Sequence, residues 1–420
     1  MEPLLFLAHR IPYPPDKGDK IRSHHLLRYL AGRYRVFLGT FVDDPADLEH
    51  VASLKPSCDE VCAVRLHPKL ATARSLIGLA SGEALTVPYY RDRALARWVD
   101  RVVARHSIGK AVVFSAAMAQ YVIGRRDLRC VVDLVDVDSD KWTQYAQTRP
   151  WPLSAIYRRE GRRLATFERR VAAGAEASLF VTAREAAFFS ARAPEVAGRV
   201  FALRNGVDAD YFSPAQAMQS PFVAGEEPIV FTGAMDYWPN ADAVEWFARD
   251  AFPRIRAARP AARFYVVGMN PTPAVRALAR YDGVVVTGRV ADVRPFLRYA
   301  AVVVAPLRIQ RGVQNKVLEA MAMARAVVVS TSCAGAIDAR PGVELEIAGS
   351  AEEFGAKVLE LLPSYRRDAI GRAARERVLF QYDWNTNLEQ LGALLDAAGN
   401  PARPSATAEH SLGALRAVRS

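Results

Sequence analysis

The sequence is poor in cysteine and has no long uncharged apolar run. Only four cysteines occur in 420 residues, at Cys58, Cys62, Cys130 and Cys333. The first two have a spacing found in metal sites, but no second Cys or His pair stands at a matching distance, so we expect no metal site. No apolar run reaches the length of about 18 residues that crosses a bilayer, and the first ten residues lack the basic start of a signal peptide. We therefore expect no membrane-spanning helix and a cytoplasmic protein.

Positive charge is in excess. Lys and Arg number 56 against 45 Asp and Glu, a formal net charge of +11. This excess favours anionic partners such as phosphorylated substrates, an acidic membrane surface or nucleic acid. Nucleic acid is the least favoured, because no basic patch with interleaved aromatic residues is present. For the one arginine cluster, a solvated helix face is the preferred interpretation; it comprises Arg158, Arg159, Arg162, Arg163, Arg169 and Arg170.

Short apolar runs alternate with amphipathic segments along most of the chain. Strands rich in Val, Ile and Leu that are separated by helices are typical of parallel sheets covered on both faces. We predict an α/β protein with two doubly wound, Rossmann-like domains facing a central cleft. The predicted strands are Leu4–Ala8, Val36–Thr40, Val61–Val64, Ala111–Ser115, Val131–Leu134, Leu179–Thr182, Ile229–Thr232, Phe264–Val267, Val284–Thr287, Val302–Ala305 and Val327–Thr331.

The alternation breaks once, at the turn signal Asn205-Gly206 and the weakly patterned stretch that follows it. This break divides the chain into two domains of similar size. We predict an N-terminal domain at 1–204, a linker at 205–227, a C-terminal domain at 228–380, a helix at 381–398 that returns to the N-terminal domain, and a disordered tail at 399–420.

The loop after the first strand is the first candidate segment. Gly18 allows a ligand to approach the backbone at the start of a helix, where free N–H groups favour anions. Lys17, Lys20 and Arg22 add positive charge near an acceptor or a phosphate. The loop is not a GxGxxG fingerprint, and an ordinary Pro-rich connection is the alternative interpretation.

A second candidate segment follows the strand Val131–Leu134. Four carboxylates lie within eight residues, at Asp133, Asp136, Asp138 and Asp140. Binding of a hard cation, helix capping by Asp138 or Ser139 and hydrogen bonding to a ligand all remain open. Because Asp136 follows a strand end near the predicted cleft, it is our candidate catalytic residue, as an acceptor of a hydrogen bond or as a base.

The strongest candidate segment is 305–323, where a buried strand, a Gly-containing loop and an amphipathic helix follow one another. The amides of Gly312, Val313 and Gln314 at the helix start suit a diphosphate or a sugar hydroxyl. Lys316 and Glu319 share a helix face. The lysine can neutralise a phosphate and the glutamate can accept both hydroxyls of a ribose. A surface ion pair is the alternative.

Several motifs together resemble the retaining GT-B glycosyltransferases of family 4. The opening His9–Ser23 and the stretch Gly312–Glu319 further resemble sugar transferases tied to exopolysaccharide and PEP-CTERM/exosortase gene clusters. The resemblance covers roughly residues 1 to 395. The other motifs that carry it are Asn205-Gly206-Val207-Asp208 with Phe212, Phe231–Asn240, Glu319-Ala320-Met321-Ala322 and Arg325–Thr331.

The resemblance implies a transferase that moves a sugar from a nucleotide-diphosphate sugar to a glycan or polyprenyl-linked acceptor. It implies retention, no metal cofactor, no nucleic-acid partner, and a cytoplasmic enzyme that can rest on an anionic inner membrane. An epimerase or phosphorylase of the same fold and a non-enzymatic basic binding protein are the alternatives. The implied donor-binding residues are Gly18, Gly233, Arg289, Arg311, Gly312, Val313, Gln314, Asn315, Lys316 and Glu319.

The sequence departs from the family pattern at several positions. Arg311 stands where the first acid of the Glu-x7-Glu pattern is common, and Ala234 stands where a basic residue often follows the glycine. The segment Asp133–Ser139 lacks the histidine that many members carry, and Lys17-Gly18 replaces a common Gly-Gly. We therefore expect Arg311, Lys316 or Arg289 to supply the charge that holds the diphosphate.

Overall fold

A computed structural model describes residues 1–15, 18–308 and 313–397, apart from the side chains of Thr148 and Ser364. The chain forms two domains, each built on one parallel sheet, and this confirms the predicted fold class. The N-terminal sheet has seven strands: β1 (Glu2–Ala8), β2 (Tyr34–Val42), β3 (Glu60–Arg65), β4 (Lys110–Phe114), β5 (Arg129–Val135), β6 (Ala177–Phe180) and β7 (Val200–Ala202). The C-terminal sheet has six strands: β8 (Glu227–Thr232), β9 (Ala262–Val267), β10 (Val284–Gly288), β11 (Val302–Ala305), β12 (Val327–Ser330) and β13 (Glu346–Ala348).

Helices cover both sheets. Those before residue 200 are α1 (Gly18–Ala31), α2 (Pro68–Ser75), α3 (Ile77–Ser81), α4 (Thr86–Tyr89), α5 (Arg93–His106), α6 (Asp138–Thr148), α7 (Leu153–Gly174) and α8 (Ala183–Arg192). Those that follow are α9 (Trp238–Trp246), α10 (Phe252–Ala258), α11 (Pro273–Ala277), α12 (Arg294–Tyr299), α13 (Asn315–Ala322), α14 (Thr331–Ala334), α15 (Ala351–Leu361), α16 (Ser364–Gln381) and α17 (Trp384–Ala397). The segment 398–420, which we expect to be disordered, lies outside the described residues.

Local sequence signals define the helices, as α5 illustrates. The Asp92 side chain accepts from the backbone N–H groups of Ala94 and Leu95, so it caps two of the free donors at the helix start. The buried side chains repeat at helical spacing along one stripe, which packs on the sheet. Ser107 ends the helix with a φ of 50°, a left-handed conformation common at helix C-termini. The buried stripe consists of Leu95, Trp98, Val99, Val102 and Val103.

The strand orders place a crevice in each domain. The N-terminal order is β3-β2-β1-β4-β5-β6-β7, and the C-terminal order is β10-β9-β8-β11-β12-β13. In the N-terminal sheet, β2 and β3 lie on one side of β1 and the later strands lie on the other side, so the order of strands changes direction between β1 and β4. The C-terminal sheet changes direction in the same way between β8 and β11. Ligands of doubly wound sheets bind outside the carboxyl ends of the strands at such switch points. The loops after β1, β8 and β11 are therefore the places to look for a site.

Helix α17 crosses back to the N-terminal domain. Its apolar side chains share a core with β1 and α1, including Leu4, Phe6 and Leu26. The Trp384 ring stacks on the His25 ring at 4.5 Å and lies against Gly206, where an added Cβ would come within 2.7 Å of the indole. The outgoing linker and the returning chain therefore lie side by side. The buried residues of α17 in this core are Trp384, Leu388, Leu391 and Leu395.

Candidate functional site

Three glycines end neighbouring strands of the C-terminal sheet. Gly233 follows β8, Gly268 follows β9 and Gly288 ends β10. An added Cβ on Gly268 would lie 1.7 Å from the Gly233 carbonyl oxygen, and one on Gly233 would lie 3.0 Å from Lys316 Nζ. All three residues have positive φ values, 155°, 156° and 71°. Glycine suits all three positions, because a Cβ would clash at Gly233 and Gly268 and the φ of Gly288 favours glycine. We call these three strand ends the glycine floor; the side chains of Asn240 and Lys316 lie directly over Gly233.

The side chain of Lys316 reaches this floor from α13. Its Nζ donates to Asn240 Oδ1 at 2.6 Å and lies 4.2 Å from the centre of the Phe231 ring. Asn240 is itself buried and donates to the Ala234 carbonyl at 2.8 Å. The ammonium is thus held by a neutral amide and an aromatic face. Its positive charge has no carboxylate partner among the described ion pairs, so it can attract an anionic ligand.

Burial shifts the pKa values of Lys316 and Glu319 toward each other. Burial lowers the pKa of Lys316 to about 8, against the opposing effect of Cys333 and Glu319. Burial raises the pKa of Glu319 to about 7, against the opposing charge of Lys316. No ion pair joins the two side chains within the described residues, so the surface ion pair considered above is not formed. Both groups therefore titrate near neutral pH, and ionisable groups with strongly shifted pKa values are concentrated at functional sites.

The start of α13 faces the same crevice. Gln314 precedes the helix with extended backbone angles and has no side-chain cap, and the first helical hydrogen bonds run from Val317 and Leu318 to its carbonyl. The amides at this end therefore have no intrahelical acceptor and suit an anion. Val313, Gln314 and Asn315 are half-buried there. Arg311 and Gly312, which we also expect to bind the donor, lie outside the described residues.

Arg289 directly follows β10 and is exposed. Its guanidinium makes one contact in the described structure, 3.4 Å from Met269 Sδ. The backbone of its neighbour Gly288 accepts from Gly268 N at 3.2 Å, which ties this strand end to the glycine floor. Arg289 can therefore supply a mobile positive charge at the edge of the crevice.

The N-terminal domain meets α13 at two points. An added Cβ on Gly18 would lie 3.9 Å from Asn315 Nδ2, so the start of α1 faces the start of α13 across the cleft. The Asn205 side chain donates to Asn315 Oδ1 at 3.4 Å. Two of the predicted donor-binding residues, one from each domain, are thus brought together. Lys17, which precedes Gly18, lies outside the described residues.

Lys20 and Arg22 correct our expectation that they lie near an acceptor or phosphate. Both side chains are only 1% exposed. Lys20 pairs with Asp47 at 2.7 Å, and Arg22 pairs with Asp133 at 2.7 Å while donating to Asn205 Oδ1 at 2.7 Å. Their charges are therefore neutralised inside the fold. Asp133 is likewise a buried structural partner and not a ligand of a cation.

Asp136 lies at a strained turn at the end of β5. Val135 has a φ of 67°, which is costly for a β-branched residue, and it coincides with an irregularity in the pairing of β5 with β6. One carboxylate oxygen of Asp136 binds Lys141 Nζ at 2.9 Å, whereas Oδ1 is buried and has no hydrogen-bond partner in the described part of the chain. Lys141 also pairs with Asp138 at 2.9 Å. The free oxygen gives Asp136 an unused acceptor position.

The C-terminal domain contributes an aromatic side chain to the region around Asp136. Tyr237, in the loop after β8, is about half exposed, and its pKa is raised by partial burial and by the proximity of Tyr145 and Asp136, against the effect of Lys141. Its neighbour Trp238 is 41% exposed. Polar and aromatic groups of both domains therefore line this part of the cleft.

Sequence reasoning missed a polar cluster at the end of β1. His9 Nε2 lies 3.3 Å from Asp19 Oδ2, and its ring stacks on Phe114, the last residue of β4. Burial alone would raise the pKa of Asp19, but the hydrogen bond with His9 and the charge of Arg10 hold it well below its ordinary value. The position of His9 and Arg10 directly after the first strand was the available signal. Asn205 and Asn240 also went unrecognised, since their partners lie far away in the sequence.

Two absences apply to the described residues only. Across 1–15, 18–308 and 313–397, no three His, Cys, Asp or Glu side chains are arranged to hold a metal ion. Within the same ranges, no helix combines the length and hydropathy that crossing a bilayer requires.

Comparison with a protein-family model gives one match. Residues 226–364 match the family described as Glycosyl transferases group 1, so this segment of the C-terminal half is similar to that family. The matched segment contains the glycine floor, Lys316 and Glu319. A search of curated proteins finds no match.

Comparison with solved structures identifies the two-domain fold as GT-B. HepE of Anabaena in complex with UDP is 14% identical, with a TM-score of 0.65 over 94% of this chain and 100% of that one. Sucrose-phosphate synthase of Thermosynechococcus elongatus is 16% identical, with a TM-score of 0.67 over 94% and 99%. A glycosyltransferase of Rickettsia africae is 11% identical, with a TM-score of 0.64 over 96% and 99%. At these identities the likeness shows the fold alone.

The glycine floor yields a direct test. We expect Gly268→Ala to lower the free energy of unfolding by about 1–3 kcal/mol, because the new methyl group would overlap the Gly233 carbonyl. Gly198→Ala is the matched control, since an added Cβ there meets nothing within 4 Å. Urea unfolding followed by circular dichroism measures both. Equal midpoints for the two variants would contradict the close approach of the two strand ends.

Proposed function

We propose that the protein is a glycosyltransferase that moves a sugar from a nucleotide-diphosphate sugar to a glycan or lipid-linked glycan. The single observation that carries the proposal is the position of Lys316 on α13 beside the glycine floor, with Glu319 one turn further along the helix, in a segment that matches the group 1 glycosyltransferase model. The resemblance of the motifs supports retention of anomeric configuration and a role in polysaccharide biosynthesis. HepE of Anabaena, which shares the fold, has been solved with UDP-glucose, so a uridine nucleotide is the first donor to try.

In this proposal the donor lies along the start of α13. The free amides of this helix end and the ammonium of Lys316 hold the diphosphate, with Arg289 at the edge of the crevice. Glu319, one turn further along the helix, accepts hydrogen bonds from the ribose hydroxyls. The glycine floor lets Asn240 and Lys316 lie close to the strand ends, where the sugar nucleotide would bind beside them.

The chemistry is the replacement of one carbon–oxygen bond by another. An acceptor hydroxyl oxygen bonds to the anomeric carbon, the bond from that carbon to the diphosphate breaks with its electron pair leaving on the diphosphate, and the hydroxyl proton passes to Asp136. The enzyme lowers the barrier chiefly by stabilising the negative charge that develops on the leaving group. We propose that Lys316, Arg289 and the helix amides do this without a metal cofactor. Closure of the two domains excludes water, which limits hydrolysis of the donor.

The acceptor is assigned to the N-terminal side of the cleft. Asp136 has a buried oxygen without a hydrogen-bond partner among the described residues, Lys141 binds its other oxygen, and Tyr237 lies nearby with Tyr145 close to it. A hydroxyl of the acceptor that donates to Asp136 Oδ1 would satisfy this oxygen. We propose a cytoplasmic enzyme that works on the inner face of the membrane, where a polyprenyl-linked acceptor is presented.

The donor site is tested by Lys316→Ala and Glu319→Ala. Each removes a contact to the donor, and loss of the leaving-group contact of Lys316 should lower kcat/KM by about 10²–10³. Arg372→Ala is the control for Lys316→Ala, because Arg372 is exposed on α16 and its loss removes the same positive charge. The donor is first identified by a thermal-shift screen of nucleotide diphosphates and their sugars, since a bound ligand raises stability. Wild-type kcat/KM in both site variants would refute the assignment.

The pH dependence of kcat/KM follows from the two shifted pKa values. Glu319 carries its negative charge only above its pKa of about 7, and Lys316 loses its positive charge above its pKa of about 8. Because kcat/KM reports the free enzyme, we expect a narrow bell with its maximum between these values. Glu319→Gln should abolish the acid limb and move the alkaline limb to lower pH, because the charge of Glu319 raises the pKa of Lys316. An acid limb that persists in this variant would show that another group titrates.

The acceptor assignment is tested by Asp136→Asn. We expect an unchanged dissociation constant for the nucleotide and a transfer rate lowered by at least about 10², since the variant cannot take a proton. Asp138→Asn is a matched control, because each aspartate binds Lys141 at 2.9 Å. Transfer is measured by release of the nucleotide diphosphate in the presence of acceptor. If the two variants lose equal activity, Asp136 serves only to hold Lys141.

A further inference from the structure

The N-terminal domain exposes six large apolar side chains at one corner. Two chain segments supply them, α2–α3 and the connection between α6 and α7. Trp151 is the most exposed at 81%, and the others range from 44% to 68%. We call this set the apolar corner; it consists of Leu70, Leu76, Ile77, Leu79, Trp151 and Leu153.

The two segments are joined directly. The Arg159 guanidinium, on α7, donates to the Gly78 carbonyl at 2.6 Å and to the Glu83 carbonyl at 3.1 Å. The neighbouring Glu160 is buried and accepts from the backbone N–H groups of Leu85 and Thr86 at 2.6 and 2.9 Å. The N-terminal half of α7 therefore holds the end of α3 and the start of α4, which brings α2–α3 next to the segment that carries Trp151 and Leu153.

The helices α2 and α3 turn small residues and Arg74 inward, and the Arg74 guanidinium donates to the carbonyls of Pro88 and Tyr89 at 2.8 and 2.6 Å. Their buried positions are Ala71, Ser75 and Gly78, which repeat at helical spacing. The leucines and the isoleucine lie between these positions and point outward. An amphipathic helix normally buries its large apolar side chains, so this pair of helices has the reverse arrangement and presents them to a partner.

Positive charge predominates around the apolar corner, and the acidic side chain at its border, Glu83, pairs with Arg91 at 2.7 Å. No acidic residue occurs between Glu60 and Glu83, or between Asp140 and Glu160, so neither segment carries a negative charge. The exposed basic residues are Lys69, Arg149, Arg158, Arg162 and Arg163. Proteins that bind the interface of an anionic bilayer combine exposed apolar side chains, often including tryptophan, with nearby Lys and Arg residues.

We propose that the apolar corner docks the enzyme on an anionic lipid bilayer. The apolar side chains enter the headgroup region, and the surrounding Lys and Arg residues attract acidic lipids. This deepens the proposed function, because α6 connects the two places. Asp136 directly precedes α6 and Trp151 follows it, and a helix of this length spans about 16 Å. A lipid-linked acceptor held in the bilayer would thus present its glycan on the Asp136 side of the cleft.

Vesicle sedimentation of the full chain tests the proposal. We expect binding to phosphatidylcholine vesicles that contain about 30% phosphatidylglycerol, loss of binding at high salt, and weak binding to phosphatidylcholine alone. The variant Ile77→Ser/Leu79→Ser/Trp151→Ser should lower the apparent affinity at least about tenfold. The variant Arg158→Glu/Arg162→Glu should lower it by more than tenfold, since each charge removed costs about fivefold.

Matched controls lie on the C-terminal domain. Tyr365→Ser/Phe380→Ser removes side chains that are 87% and 77% exposed, and Arg276→Glu/Arg372→Glu reverses two exposed charges. Both controls should bind vesicles as the wild type does. Equal binding by corner variants and controls, or no binding by the wild type, overturns the proposal. A concentration-dependent dimer that only the corner variants lose, without vesicle binding, assigns the corner to a second copy and overturns it too.

Nucleotide binding separates this proposal from the proposed function. The corner variants should keep the wild-type thermal shift with UDP and with the donor, because the apolar corner lies outside the donor crevice. If the wild type binds vesicles but no nucleotide sugar raises its stability, the glycosyltransferase assignment fails and the docking surface stands. If it binds the donor but the corner variants bind vesicles normally, the docking surface fails alone.

Discussion

The buried guanidinium of Arg22 fixes the geometry on which the cleft depends. A charge removed from water must be paired and hydrogen-bonded, and removal of one partner is costly. Arg22 meets this requirement with Asp133 on β5 and Asn205 at the start of the linker, and so holds α1, the central strands and the interdomain connection together. Asn205 then reaches Asn315 at the start of α13. The interdomain contact therefore begins in the interior of the first domain.

The fold was readable from the sequence because its strands carry dense apolar signals. Runs such as Val302–Ala305 are buried on both faces, and the predicted and observed limits of that strand coincide. The edge strands β7 and β13 were not predicted, because three residues are too few to show a period. Asn240 and Asn205 escaped for a different reason: their roles depend on partners 76 and 110 residues away. For the same reason we predicted free charges at Lys20 and Arg22, because their partners Asp47 and Asp133 are distant in the sequence.

The two charged groups of the candidate site, Lys316 and Glu319, both have pKa values near neutral pH. Lys316 is held by an amide and an aromatic ring, and Glu319 lacks an ion pair with it, so neither is compensated by the other. A bound diphosphate would give Lys316 an anionic partner, and a pair of ribose hydroxyls would give Glu319 hydrogen-bond donors. Ligand binding can therefore stabilise the charged form of each group. On the opposite side of the cleft, Asp136 likewise has an oxygen without a hydrogen-bond partner among the described residues, next to the strained Val135.

The return of α17 to the first domain orders events during synthesis on the ribosome. Trp384, Leu388, Leu391 and Leu395 complete a core whose other members were translated long before. Roughly 180 residues separate β7 from α17, and at bacterial or eukaryotic speeds their translation takes on the order of 10 to 40 seconds. Throughout this interval the nascent first domain keeps one apolar face uncovered, which a chaperone can hold. Cutting the polypeptide before residue 384 would therefore damage the domain made first and spare the one made last.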